Sequence, residues 1–465
     1  MPEGSLNEKA RRENSLALAA MLGVTEGRAS ELLGVSVLLT VDSKDSAGAQ
    51  LADDIHRLIS RTVRAVTFAT DQDRFAVEII LGHSGARSEA PQLYVSMSTE
   101  AIVIDSNTQE SVPNVNVHGL LRLIGACYVV AAALEIALQP ELARPATSRR
   151  TVRFSELGVN LQDLESPIDL GHAYLAGAGA IGNAFLWATS RLNIRGTLDV
   201  VDDDVVSSGN LNRQVFFTDG DVGWPKSVRL VEHARGLLPE LSLRAQICRL
   251  QDVPEKNTGP WLRRLVVAVD SRRARRQLQS ELPGEVFDAS TTDTREVIIH
   301  HNREPRNTAC LECIYCANEA EYTREHHIAD SLGISVDEVR RERVTDAAAS
   351  LIADRFPTFK AEDIVGIAYD SLFKQLCGQA LLRGPSGRAI LAPFAFVSCL
   401  AGALLALEIV RRLAPGAPAS DLNYWRVSAW TPPILRLQRV RTQNATCECC
   451  SNEDIARVRA NLWGA

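Results

Sequence analysis

The stretch His172–Gly182 reads HAYLAGAGAIG. Its first half predicts a strand, and Gly177-Ala178-Gly179-Ala180-Ile181-Gly182 predicts a tight turn into a helix. In a G-x-G-x-x-G turn the first glycine permits the turn and the second lets an anion approach the backbone. The third lets helix and strand pack closely. The helix then starts with unpaired N–H groups that favour a phosphate. Downstream, TLDVVDDDVV (Thr197–Val206) predicts a strand ending at Asp202, where a carboxylate can accept hydrogen bonds from a ribose. Strand, glycine turn, helix and acidic strand end together predict a mostly parallel, Rossmann-like α/β nucleotide-binding layer.

The next residues choose among nucleotides. Asn210-Leu211-Asn212-Arg213-Gln214 follows the aspartates, and Lys226 closes DVGWPK. Hydride transfer has no use for an arginine and a lysine here. Cleavage between the α- and β-phosphates of ATP does, because fixed cations stabilise charge gathering on the non-bridging oxygens. Mg²⁺ is needed as well. Asp270, at the end of the strand RLVVAVDS (Arg264–Ser271), is a suitable oxygen ligand.

Taken in order, GAGAIG, VVDDDVVSSGNLNRQVFF, DVGWPKS, VVAVDS, CLEC and CECC resemble the ThiF/MoeB/HesA superfamily. These adenylating enzymes activate ubiquitin-like proteins, sulfur carriers and some peptides. The resemblance spans Asp169–Cys450. It implies a ribose role for Asp202, ATP-phosphate roles for Asn210, Arg213, Gln214 and Lys226, and Mg²⁺ binding by Asp270, with Asp204 a second candidate. The reaction implied joins a protein's C-terminal carboxylate to the α-phosphate of ATP. In many relatives a loop cysteine then attacks the acyl-adenylate, and Cys377 lies where that cysteine stands. A thiolate is nucleophilic enough to need no elaborate base against so activated an acyl group. The alternative is adenylation alone, of a sulfur carrier or a ribosomal peptide.

Cys310-x-x-Cys313 and Cys447-x-x-Cys450 can supply four thiolates to a structural Zn²⁺. Cys313/Cys316 is the alternative first pair, and Cys449 is spare either way. Cys127, Cys248 and Cys399 sit in apolar contexts and read as packing. His300, His301, His326 and His327 lack ligand spacing and read as solvated.

The chain has 465 residues, too many for one ordinary domain. We expect a smaller N-terminal α/β domain over 1–150 and an adenylation domain over 151–450, with a tail over 451–465. Residues 320–390 are expected to form a helical insertion and crossover loop. Residues 1–150 read as a degenerate adenylation half or a substrate clamp. An echo of LEI in AAALEIAL (Ala131–Leu138) and LLALEIVRRL (Leu404–Leu413) favours the first. A homodimer or an intramolecular pseudo-dimer would let an arginine reach ATP from the opposite half, with Arg11, Arg12 and Arg153 as sources. ILRLQRV (Ile434–Val440) predicts a strand.

With 46% hydrophobic and 23% charged residues the chain can bury a large core, so disorder is excluded. A net charge of −7 argues against nucleic acid, although ADSLGISVDEVRR (Ala329–Arg341) has a helix-turn-helix pattern. Leu120–Leu138 carries Arg122 and Glu135, which argues against a membrane span. The polar N-terminus and the spaced cysteines suggest a reducing cytoplasm, and the length and architecture suggest a bacterial protein. A ubiquitin-like protein and a conjugating enzyme are the expected partners.

Overall fold

The computed structural model describes residues 6–464 except 71–73, 110–113, 143–145, 258, 293, 306, 318, 342, 358, 366–368, 370–371, 374–392 and 418–419. Two mostly parallel sheets with flanking helices form the α/β architecture expected. The first sheet contains β1 (Ser36–Val41), β2 (Ala65–Thr67), β3 (Val77–Leu81), β4 (Gln92–Met97), β5 (Ala101–Asp105) and β6 (Arg149–Arg153). Its order is β2-β1-β3-β4-β5-β6. The second contains β7 (Ile168–Ala176), β8 (Ile194–Val201), β9 (Leu241–Gln246), β10 (Arg264–Val267), β11 (Glu285–Thr292), β12 (Glu296–Arg303) and β13 (Tyr424–Ser428). Its order is β13-β12-β11-β10-β7-β8-β9.

The two orders are the same path. Substituting β7 for β1, β8 for β2, β10 for β3 and β11, β12 and β13 for β4, β5 and β6 turns one into the other, with β9 added. The directions agree too, because in each sheet the last two pairings alone are antiparallel. The helices repeat in step. Among them are α1 (Glu8–Leu22), α2 (Glu26–Leu33), α3 (Ser46–Ile59), α4 (Gly119–Ala137), α5 (Leu161–Glu165), α6 (Ala180–Thr189), α7 (Lys226–Arg235) and α8 (Arg272–Ser280). Helix α3 follows β1 as α6 follows β7. Helix α4 precedes β6 as the long helix Ala395–Leu413 precedes β13. The two LEI segments therefore occupy equivalent helices.

These equivalent helices pack together and join the halves. Nearly every residue of Ala395–Leu413 is buried, as is most of α4, because each faces a sheet on one side and a helix on the other. Helix α4 is long and apolar enough to cross a membrane by length and composition, but the protein interior accounts for its apolarity. Polar contacts fix the junction. Arg191 and Arg122 both bind Asp54 (2.6 and 3.1 Å), and Arg191 lies 5.1 Å over the Trp187 ring.

Two sequence expectations fail. His300 and His301 are buried rather than solvated, because β12 lies inside the sheet between β11 and β13. His300 Nε2 meets the Ala309 carbonyl (3.0 Å), and His301 Nε2 meets Glu285 (3.1 Å). His326 is exposed as expected, and His327 is half-buried. ILRLQRV is no strand. Leu435–Leu437 is a 3₁₀ turn, and only Arg439 bridges to the edge strand, at Tyr424.

Burial raises the Glu285 carboxyl, but His301 and Arg264 outweigh it and hold it at about 2, against an ordinary 4.5. A depressed carboxyl stabilises the fold above 4.5, and that stability is lost as pH falls towards 2. We predict that this ionisation accounts for about 3 kcal/mol of the acid-side loss. Urea unfolding of Glu285→Gln should show a flatter slope with pH between those limits; an unchanged slope would count against it.

Candidate nucleotide and metal site

The glycine turn joins β7 to α6 with no room to spare. Gly177 has φ +103, and a Cβ there would lie 2.7 Å from the Ala268 carbonyl. A Cβ on Gly182 would lie 2.1 Å from the Gly177 carbonyl. At Gly179 a Cβ would meet nothing within 4 Å, so this side of the turn is open. Gly179 caps α6 without a side-chain hydrogen bond. The first turn of α6 thus presents backbone N–H groups towards open space, the requirement for binding a phosphate.

The equivalent turn of the first half is closed. Asp45 caps α3, with its Oδ1 accepting from Gly48 N (2.8 Å) and its Oδ2 accepting from Asn114 Nδ2 (2.6 Å). A carboxylate of the chain itself stands at that helix start.

Around the open turn the predicted residues converge. Asp202 Oδ2 accepts from Ala178 N (2.7 Å), tying the end of β8 to the glycine turn. Burial raises the Asp202 carboxyl, against the pull of Lys226. Lys226 begins α7 and donates from Nζ to Asp204 Oδ2 (2.8 Å). Burial lowers the Lys226 ammonium, but Asp202 and Asp204 outweigh it and leave it raised. Arg213 is shifted down by burial, with Glu13 and Asp270 acting against this. Asp270 is exposed at the end of the segment after β10 and acts electrostatically on both Arg213 and Lys226. Asn210 lies half-buried in the 3₁₀ turn Ser208–Asn212. Gln214 is buried, and its Oε1 has no hydrogen-bond partner among the described residues. Two cations and an open helix start suit a polyphosphate. Asp270 and Asp204 are the oxygen donors that could hold its Mg²⁺.

Three further residues build this site without belonging to a motif. Asn183, fully buried in α6, donates to the Ala178 and Gly179 carbonyls (2.9 and 3.0 Å). Its Oδ1 accepts from Phe216 N (3.2 Å), so one amide links the glycine turn to the Asn210–Gln214 loop. A polar residue within the apolar helix GNAFLW was the available signal. From the first half, Asn14 on α1 accepts from buried Asn212 Nδ2 (2.8 Å). Arg61, just beyond α3, reaches the carbonyls of Leu211, Val215 and Phe217. Neither Asn14 nor Arg61 carries a local sequence signal. Of the arginines considered for a reach across the halves, Arg12 pairs with Glu26 (2.8 Å). Arg153 is exposed on the edge strand β6, and Arg11 is exposed on α1, the helix packed on Ser208–Asn212.

Cys310, Cys313, Cys447 and Cys450 have all four Sγ atoms within 4.8 Å of one another. Neighbouring pairs stand 3.5–3.7 Å apart. A tetrahedron of thiolates about 2.3 Å from zinc has edges of about 3.8 Å, so the set could hold that ion. Cys316 is exposed and outside the set, and Cys449 is buried but also outside it. Glu312 accepts from Glu448 N (3.3 Å) and Cys449 N (3.1 Å), pinning the second pair against the first. Cys127 and Cys399 are buried as expected, and Cys248 is half-buried. Cys377 lies outside the described residues.

Comparison with known proteins gives two family matches. The pattern of the ThiF family matches residues 148–450, and that of the E1 N-terminal domain matches residues 7–160. Uncharacterized protein y4jF of Sinorhizobium fredii is 29% identical over 323 residues, 65% of this chain and 60% of that protein. Ubiquitin-activating enzyme E1 2 of Triticum aestivum is 32% identical over 151 residues, 31% of this chain and 14% of that protein. The chain thus spans less than two thirds of either relative. Among solved structures, E. coli MccB with succinimide aligns at 18% identity and a TM-score of 0.39, covering 64% of this chain and 70% of that one. That likeness is too loose to bear on mechanism.

Two predictions follow from this geometry. Gly182→Ala should cost about 1–3 kcal/mol in denaturant unfolding, since its methyl overlaps a backbone carbonyl. Purified protein should carry a single zinc ion per chain. Elemental analysis should show it lost in Cys310→Ser and kept in Cys316→Ser and Cys449→Ser; loss from Cys316→Ser would reassign the ligands.

Proposed function

The chain belongs to the ThiF family, and from that premise we propose that it activates a ubiquitin-like protein at the expense of ATP. The substrate's C-terminal carboxylate attacks the α-phosphate, giving an acyl-adenylate and pyrophosphate. The Cys377 thiolate then attacks the acyl carbon and AMP leaves, forming a thioester that passes to the cysteine of a conjugating enzyme. The observation that carries the adenylation step is the open, uncapped start of α6 beside the cations Arg213 and Lys226. The choice of a ubiquitin-like substrate is supported by the E1 N-terminal match over residues 7–160. The repeated sheet order supports reading residues 1–150 as a degenerate half within an intramolecular pseudo-dimer.

Each residue has a task in this scheme. The first turn of α6 orients the phosphates, and Asp202 holds the ribose. Arg213 and Lys226 stabilise the charge that develops on the non-bridging oxygens, with Asn210 and Gln214 hydrogen-bonding beside them. Asp270 would hold Mg²⁺, which would supply neutralisation of part of the triphosphate charge. Lys226 is kept protonated by Asp202 and Asp204 despite its burial, so it reaches the phosphates as a cation. The thiolate cluster anchors the tail and takes no part in the chemistry.

ATP–pyrophosphate exchange with a ubiquitin-like protein tests the first step. Arg213→Ala and Lys226→Ala should lower the exchange rate by at least ~100-fold; full-rate exchange in Arg213→Ala would sink the assignment. Cys377→Ala should keep exchange and lose a thiol-sensitive adduct. Free acyl-adenylate with no such adduct in the unsubstituted protein would leave adenylation alone as the activity.

A further inference from the structure

Residues 211–217 curl so that three carbonyl oxygens, of Leu211, Val215 and Phe217, face one point. Converging carbonyl dipoles repel one another unless a cation lies between them. Among the described residues the second half supplies none to these three oxygens. The guanidinium of Arg61, 150 residues away in sequence from Leu211, fills the place. Its Nη1 donates to Leu211 O, and its Nη2 donates to Val215 O (3.0 Å) and Phe217 O (3.3 Å). The contact is closed by a second link between the halves. Asn212 Nδ2 donates to Asn14 Oδ1 (2.8 Å), and Asn14 Nδ2 donates to the backbone oxygen of Arg61 (2.7 Å).

The loop so held contains Arg213 and Gln214 and begins beside Asn210. Arg61 has no ion pair among the described residues, so its charge is spent on this backbone alone. Burial and the neighbouring Arg57 lower its pKa, yet only to about 10, so it remains a cation at neutral pH. A fork of several donors on one plane can serve three carbonyls at once, and an ammonium cannot match that geometry.

We infer that Arg61 is a positioning residue of the first half that sets the Asn210–Gln214 loop for the β- and γ-phosphates of ATP. This rests on the adenylating reading above and deepens it, because it gives residues 1–150 a direct part in building the nucleotide site. Asp202 and the glycine turn come from other elements, so ribose and α-phosphate recognition should be largely spared.

The test is calorimetric binding of Mg·ATP and of AMP to the full chain, with folding checked by thermal unfolding. Arg61→Gln should weaken Mg·ATP binding at least ~10-fold, the loss expected for hydrogen bonds from a charged donor. AMP binding should change by less than ~3-fold, within what a lost neutral contact explains. Arg61→Lys keeps the charge without the fork and should restore part of the ATP affinity. If the Gln variant does not fold, the Lys variant decides: ATP weakened relative to AMP upholds the inference. Equal loss of both ligands, or ATP binding unchanged in a folded variant, overturns it. Failure of the unsubstituted protein to bind Mg·ATP would instead sink the adenylating reading itself.

Discussion

A helix start without a side-chain cap leaves backbone N–H groups wanting an acceptor, and the second half of this chain tolerates that at α6. The equivalent start in the first half is capped by Asp45, itself held by Asn114. The two halves share one strand order, so this contrast is not a difference of fold. It is a difference of what occupies one position. An internal carboxylate satisfies α3 and leaves no vacancy for an external anion. At α6 the same need is left open, and Gly182 keeps the turn tight enough that the N–H groups converge.

The uncapped start of α6 lies among charged side chains. The cations beside it are balanced by carboxylates, Asp204 on Lys226, and Glu13 and Asp270 acting on Arg213. Glu13 comes from α1, in the other half. With Arg61 and Asn14, it places part of the site's electrostatics and backbone support on residues 1–150. The buried junction through α4, α6 and the long helix is thus a condition of the site's geometry as well as of stability.

What the sequence discloses follows from range. The glycine turn, Lys226 and the two cysteine pairs were legible because each works over a few residues of fixed spacing. Helix Ala395–Leu413 and its LEI echo were legible because burial leaves a composition signal. Arg61 was not, because its three acceptors are backbone carbonyls and any sequence supplies those. His300 and His301 were misread because two adjacent histidines look polar. In β12 they point to opposite faces, and each finds a buried partner, a carbonyl for one and Glu285 for the other. Ile434–Val440 was misread because alternation predicts a strand only where a neighbour offers a ladder, and here there is a lone bridge.

The acidic triplet shows how one short sequence can serve three elements. Asp202 turns to the glycine loop, Asp204 to Lys226, and Asp203 to Arg343 and Arg249. Arg343 belongs to the helical insertion, whose apolar core around Leu332, Ile352 and Phe373 is separate from that of the two sheets. Arg273 of α8 adds a contact to Glu325 (3.4 Å). The insertion is therefore tied to the nucleotide edge largely through partly exposed ion pairs, which contribute up to about 1 kcal/mol each. The halves, by contrast, are joined through buried helices and the Asp54 cluster. A gradient of attachment follows, with the two sheets joined firmly and the insertion held more weakly. The weaker attachment belongs to the element that leads into the segment containing Cys377.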